Sequence, residues 1–228
     1  MKLTEVAPLL DPAPLKLETG YERFDDGTVH VACRTDLHNC TGEMFEWWFR
    51  SRPDTERYIW WHPVDHVSSS WSEGTDDTHV GSIHHAEEYF TALPSQKLAI
   101  QFRSATEFFD ANAYHTARKD GFISAAVCAR VGSAPETIRG KDGEMIGSRL
   151  LHIGRDTEWG FALRSHFYMG HDLPAMGLSP SQIKELFPDS FAEAPLMHCY
   201  NEFVFLSRFL PSVYIGKHRD TLDIALPW

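Results

Sequence analysis

Five stretches of the chain alternate apolar and polar positions or are dense in β-branched and aromatic residues: Val80–Phe90, Lys97–Phe102, Phe122–Val131, Met145–Ile153 and Trp159–Met169. That patterning predicts strands with one face turned to a core. Thr28–Cys33 predicts a further short strand, and Arg57–Trp61 has strand composition up to His62-Pro63, where proline redirects the chain. Three segments predict helices. Thr41 is placed to cap one running through Phe49, and Ser179-Pro180 opens a short one to about Leu186. Pro195 opens a long, apolar helix that Pro211 ends. Strands followed by a C-terminal helix point to an α+β fold, an antiparallel sheet curved around that helix. Residues 1–20 are Pro-rich and read as an extended arm. The expected organisation is therefore an arm with a short strand over residues 1–40 and one domain over 41–228.

Composition narrows the class. A chain of 228 residues can bury one full core. Its 15 Phe, 7 Trp and 7 Tyr suit a fold lined by large rings, including one around an apolar cavity. The formal net charge of -11 argues against nucleic acid or an anionic membrane as partner. No run of about 18 apolar residues exists, so no membrane span is expected. The first residues lack the apolar core of a signal peptide. The four cysteines, Cys33, Cys40, Cys128 and Cys199, are scattered without a CxxC, so reduced thiols and a cytoplasmic protein are expected.

The candidate chemistry lies in histidines and carboxylates. His198 and Glu202 stand at i and i+4 on the predicted long helix, which points both the same way. Their neighbours Leu196, Phe203, Leu206 and Leu210 are apolar, and a buried carboxylate is costly unless paired or coordinated. An imidazole and a carboxylate converging in this way make half of a divalent metal site. Further histidines crowd residues 62–85: His62, His66, His79, His84 and His85. His62 and His66 are four apart, but Pro63 interrupts a helix between them, so one of the two is the better ligand. Asp65 is placed to orient a neighbouring imidazole. On a strand, His84, Ala86 and Glu88 share one face while Ile83, His85 and Glu87 share the other, and alternation does not say which is inside.

Taken together, these segments resemble the family of diacetylphloroglucinol hydrolase and phloretin hydrolase. The matching pieces are Thr41-Gly42-Glu43-Met44 into Trp47-Trp48-Phe49, Tyr58, and Trp61-His62-Pro63-Val64-Asp65-His66. Gly81–Tyr89, Arg164–Gly170 and His198-x-x-x-Glu202 followed by Phe209-Leu210-Pro211 complete them. The resemblance implies a Bet v 1-like helix-grip fold and one Zn²⁺ held by His66, Glu88, His198 and Glu202, with Glu87 as the alternative to Glu88. It implies that Tyr58 contacts phenolic oxygens of the substrate. Ser69 stands where the family has an Asn, His152 corresponds to a histidine acting on the substrate, and Tyr168 to a second tyrosine. The family's N-terminal region is longer and helps form a dimer. This chain reaches its first expected ligand at residue 66, and a homodimer is one expected assembly.

The activity implied is hydrolysis of the carbon–carbon bond between an acyl group and a polyhydroxylated ring, with an aromatic ketone as the small-molecule substrate. Two other readings use the same residues differently. A helix-grip fold can carry apolar small molecules without catalysis, and iron in the same site could serve an oxygenase, though two His and two Glu leave fewer open positions than such enzymes use.

Overall fold

The computed structural model describes residues 1–90 and 93–219. Eight strands form one antiparallel sheet: β1 (Gly20–Arg23), β2 (Val29–His38), β3 (His66–Glu73), β4 (Ser82–Glu88), β5 (Gln96–Arg103), β6 (Ala125–Ser133), β7 (Ser148–Thr157) and β8 (Gly160–Met169). Their order is β1-β2-β8-β7-β6-β5-β4-β3. Five helices accompany them: α1 (Gly42–Arg50), α2 (Thr55–Trp61), α3 (Ala111–Lys119), α4 (Pro180–Leu186) and α5 (Asp189–His218). Helix α5 packs on β1 and β2 and against α1 and α2. This is the α+β helix-grip arrangement, with the sheet wrapped about a long C-terminal helix. No described helix is long and apolar enough to cross a membrane.

The two faces of the sheet bury different clusters. Between sheet and helices lie Phe45, Trp48, Tyr58, Trp61, Phe102, Phe161, Phe203 and Leu206. Behind the sheet, Val6, Leu9 and Leu10 of the N-terminal segment pack on Ile123, Cys128, Leu151, Ile153 and Tyr168. Arg164 fastens that segment by donating to the carbonyls of Asp11 and Ala13, each at 2.7 Å, and to Glu18. The segment expected to be an extended arm is thus folded onto the sheet, with short 3-10 turns at Leu3–Glu5 and Ala7–Leu10. Residues 20–38 supply two strands to the sheet itself, and β2 pairs along its whole length with β8.

Two sequence expectations are corrected. Arg57–Trp61 is helical, not a strand. The Asp54 carboxylate accepts from the Arg57 amide at 3.0 Å and caps α2, and burying Tyr58 and Trp61 on one side outweighs their β propensity. Helix α5 also runs from Asp189 to His218, with Pro195 and Pro211 inside it. A proline frees the carbonyl four residues back. The Ser207 carbonyl, freed by Pro211, accepts a long contact from the Cys40 thiol at 3.9 Å. The predicted caps hold: Thr41 accepts from the Met44 amide, and Ser179 and Gln182 form a reciprocal capping box.

Candidate metal centre

Helix α2, the start of β3, the end of β4 and the middle of α5 bring their polar residues to one buried point. His66 Nε2 lies 3.7 Å from Glu88 Oε2 and 3.8 Å from Glu202 Oε2. His198 Nε2 lies 3.8 Å from Glu88 Oε2. Ligand atoms of His66, His198 and Glu202 all fall within 4.8 Å of one another. All four side chains are buried. A register shift in the β3–β4 ladder between His66 and Ser68 sets His66 directly opposite Glu88.

Hydrogen bonding fixes what each ring offers. His66 Nδ1 lies 2.8 Å from the Tyr58 carbonyl, which can only accept, so Nδ1 carries the proton. Nε2 of the neutral ring is then a bare lone pair, buried without a hydrogen-bond partner and facing carboxylate oxygens. His198 Nδ1 likewise meets Asp65 Oδ2 at 3.0 Å, which leaves its Nε2 toward Glu88. Lone pairs and carboxylates pointing at one another in a dry interior repel unless a cation or protons sit between them. The residues present therefore fit a divalent metal, and the N/O donor set suits zinc among others.

Burial pushes the Glu202 carboxyl well above the carboxylate range, with the Glu88 charge adding to it. Burial also pushes His66 well below the ordinary histidine value, reinforced by His198. A cation would offset the Glu202 shift, and it would bind the neutral His66 that burial already favours.

The neighbouring group of His62, Asp65 and His198 also brings ligand atoms within 4.8 Å. Its hydrogen bonding argues for a different role. The Asp65 amide donates to His62 Nδ1 at 3.1 Å, so His62 Nε2 carries the proton, 3.5 Å from Asp65 Oδ2. Asp65 thus faces an N–H from each ring, and the His62 ring stacks on His198 at 4.9 Å and 3°. The group braces His198. It also answers which of His62 and His66 turns its lone pair inward.

Tyr58 holds the centre in three ways. Its ring stacks on His66, its carbonyl accepts from His66, and its hydroxyl donates to Glu88 Oε2. The resemblance implied a substrate contact; the geometry ties the hydroxyl first to a candidate ligand. Glu88 faces inward, whereas Glu87 faces out toward Ser95 and Lys97.

A cavity of about 450 Å³ opens beside the centre, lined among others by Tyr58, His84, Glu88, His152, His198 and Glu202. His152 sits on it with Nδ1 2.8 Å from the Ser165 hydroxyl. Ser69 is not part of the lining. It donates to the Pro53 carbonyl at 2.7 Å and lies 2.9 Å from His84 Nε2, so it holds His84 rather than reaching the cavity. Tyr168 is corrected outright. It packs behind the sheet on His30 and the N-terminal segment, and the cavity face of β8 carries Phe167 and Met169 instead. His84 was not singled out from sequence as a cavity residue. Its period-two relation to Glu88 was the available signal.

The family model described as DAPG hydrolase PhiG domain matches residues 1–215. Two curated relatives from Pseudomonas, one of them Pseudomonas protegens, are both named 2,4-diacetylphloroglucinol hydrolase. Each is 27% identical over 234 residues, covering 93% of this chain and 76% and 72% of theirs. Among solved structures, Ara h 8.0201 covers 85% of this chain and 99% of its own at 10% identity, with a TM-score of 0.46. Protein Ms6760 from Mycobacterium smegmatis covers 86% and 98% at 8% identity, with a TM-score of 0.44. The chain belongs to the DAPG hydrolase family and is a hydrolase.

Proposed function

We propose that this enzyme hydrolyses the carbon–carbon bond between an acyl group and a polyhydroxylated aromatic ring, with zinc held by His66, Glu88, His198 and Glu202. The products are a carboxylic acid and a phenol. The observation that carries this reading is the convergence of two imidazole lone pairs and two carboxylates on one edge of a largely apolar cavity. A carrier of apolar molecules would need the cavity but not the four donors.

Bound zinc supplies Lewis acidity toward a ketone oxygen and toward water. Everything else falls to the chain. Glu88 and Glu202 bring two negative charges, which match a divalent cation and leave the centre near neutral. The Tyr58 hydroxyl and Asp65 fix the orientation of Glu88 and His198.

The ring must depart with the bonding electron pair, which an ortho-hydroxylated ring can hold once its keto tautomer makes the acyl group part of a β-diketone. His84 and His152 line the cavity, each held by a serine hydroxyl. Burial pushes both down to about 3, so both are neutral imidazoles at neutral pH. In this reading His152 takes the proton that water gives up as its oxygen joins the acyl carbon, the negative charge that develops beside the ring raising the basicity that burial lowers. It then delivers that proton to the ring carbon as the carbon–carbon bond breaks. Because the proton arrives during turnover, no resident imidazolium is needed.

Labelled water tests the reaction. The acid should carry the oxygen label, and in deuterated water the phenol should carry deuterium at the vacated ring carbon beyond background exchange. Removing the ortho hydroxyls should abolish turnover even where binding survives. Oxygen arriving from O₂ would transfer the protein to the oxygenase reading.

A further inference from the structure

The cavity has two chemically distinct ends, and α5 carries both. Phe191, Pro195, His198 and Glu202 follow one another at the spacing of a single helix face, and all four line the cavity. The C-terminal half of that stripe belongs to the metal centre. The N-terminal half is apolar, and Phe191 lies about 10 Å along the axis from His198 at a rise of about 1.5 Å per residue. Leu173 and Phe187 complete the apolar end, and Leu98, Ile100, Leu150 and Phe167 line the cavity from the strands.

That end is built rather than accidental. Phe187 and Phe191 meet edge to face at 5.5 Å. Asp172 takes a two-pronged ion pair from Arg149, at 2.8 and 2.9 Å, and accepts from the Gly147 amide, which pins the loop bearing Leu173 to β7. Gly170, at φ 71°, lets that loop close on Phe187; a Cβ there would come within 2.9 Å of the ring. The Arg149 guanidinium on the cavity is taken up by Asp172. Tyr58 is hydrogen-bonded to Glu88 and stands edge-on to His84, and His152 packs on Phe203 next to Glu202, so these three polar groups lie by the metal centre. A ring bound there directs its acyl substituent away from them.

We infer that the enzyme selects acyl groups with a long apolar tail, which runs along α5 from the metal centre to Phe187 and Phe191. This deepens the proposed reaction and rests on it. Carbon–carbon bonds of about 1.5 Å in an extended zigzag advance about 1.25 Å each, so about 10 Å takes about eight carbons. A linear alkyl tail or a phenyl-terminated one meets that description equally.

The test uses the zinc-loaded enzyme and a series of acylphloroglucinols from acetyl to decanoyl, with one arm bearing a phenyl-terminated acyl group of matching length. kcat/KM should rise about twofold or more per methylene, then level off near octanoyl. The phenyl arm shows which of the two tails fits better. In parallel, alkylresorcinols of the same lengths have no ketone to cleave, and their binding is read by tryptophan fluorescence, Trp61 lying in the cavity wall. Phe191→Ala and Phe187→Ala should each lower the octanoyl-to-acetyl ratio about fivefold or more. Hydrolysis with no chain-length preference, or with acetyl preferred, would overturn the inference and leave the reaction standing. Chain-length-dependent binding without hydrolysis of any acylphenol would keep the apolar channel and sink the reaction.

Discussion

The Tyr58 ring lies flat on the His66 imidazole, with centroids 3.7 Å apart and planes 6° apart. The same residue accepts the His66 Nδ1 proton on its carbonyl and donates its hydroxyl to Glu88. One side chain on α2 thereby holds two candidate ligands that come from different strands.

Tyr58→Phe keeps the stacking and the carbonyl contact and removes only the hydroxyl. The protein should fold normally, and its zinc affinity should fall about ten- to a hundredfold, the usual effect of losing a partner of a metal ligand. A competition titration against a chelating dye measures this. Unchanged affinity would leave the hydroxyl with a substrate role alone.

The two neighbouring glutamates should behave oppositely. Glu88→Gln should lose most of its zinc by elemental analysis, whereas Glu87→Gln, altered on the outward face, should retain metal and activity. The reverse pattern would place the wrong face of β4 at the centre.

Zinc binding to the metal-free protein should release protons. Glu202 is pushed up by burial and by Glu88, so it holds a proton above the ordinary carboxylate range until a cation displaces it. Calorimetric titrations in two buffers of different ionisation enthalpy count the protons. A count of zero near pH 5 would contradict the placement of Glu202.

Asp65→Asn removes the charge that faces the N–H groups of both His62 and His198. The amide can present an N–H where His198 needs an acceptor, so His198 loses its fixed tautomer. Zinc affinity should drop about tenfold or more with the fold retained. Circular dichroism and the same dye titration separate the two effects.

Acid should destabilise the fold before carboxylates are protonated. Burial pushes His84 and His152 down to about 3 and His79 to about 4, against an ordinary value of 6.5. Each folded value is depressed, so the unfolded chain binds the proton first. The stability from these groups is complete above about 6.5 and lost as pH falls toward about 3, at about 1.4 kcal/mol per pH unit for each histidine. Tm should therefore fall steadily from about pH 7 to about pH 5. A flat Tm across that interval would mean these imidazoles are not held neutral.

The chain's local patterns carried those relations that lie within a single element. His198 and Glu202 share a helix face because of their spacing, and His84 and Glu88 share a strand face because side chains alternate. The capping of α1 by Thr41 and of α4 by Ser179 was legible for the same reason, since a cap is made by neighbours in sequence. The family resemblance added the pairing of His66 with the helix motif.

What needed the tertiary structure was every choice between faces. Alternation along β4 treats Glu87 and Glu88 alike, and only the tertiary structure, which brings Glu88 to His66, His198 and Tyr58, shows which of the two faces inward. Along β8 a shift of one residue separates Phe167, in the cavity, from Tyr168, behind the sheet, because successive strand side chains point to opposite faces. Residues 57–61 have the composition of a strand and fold as a helix, since Asp54 caps them and the interior takes Tyr58 and Trp61 from one helical side. The sequence does not say which of His62 and His66 turns its lone pair to the centre. The amide of Asp65 claims one ring's Nδ1 and the carbonyl of Tyr58 claims the other's proton, and those two hydrogen bonds decide which lone pair is left for the centre. Sequence spacing sets directions within an element, but burial and partnering are settled between elements, where the cost of an unpaired polar atom leaves one arrangement standing.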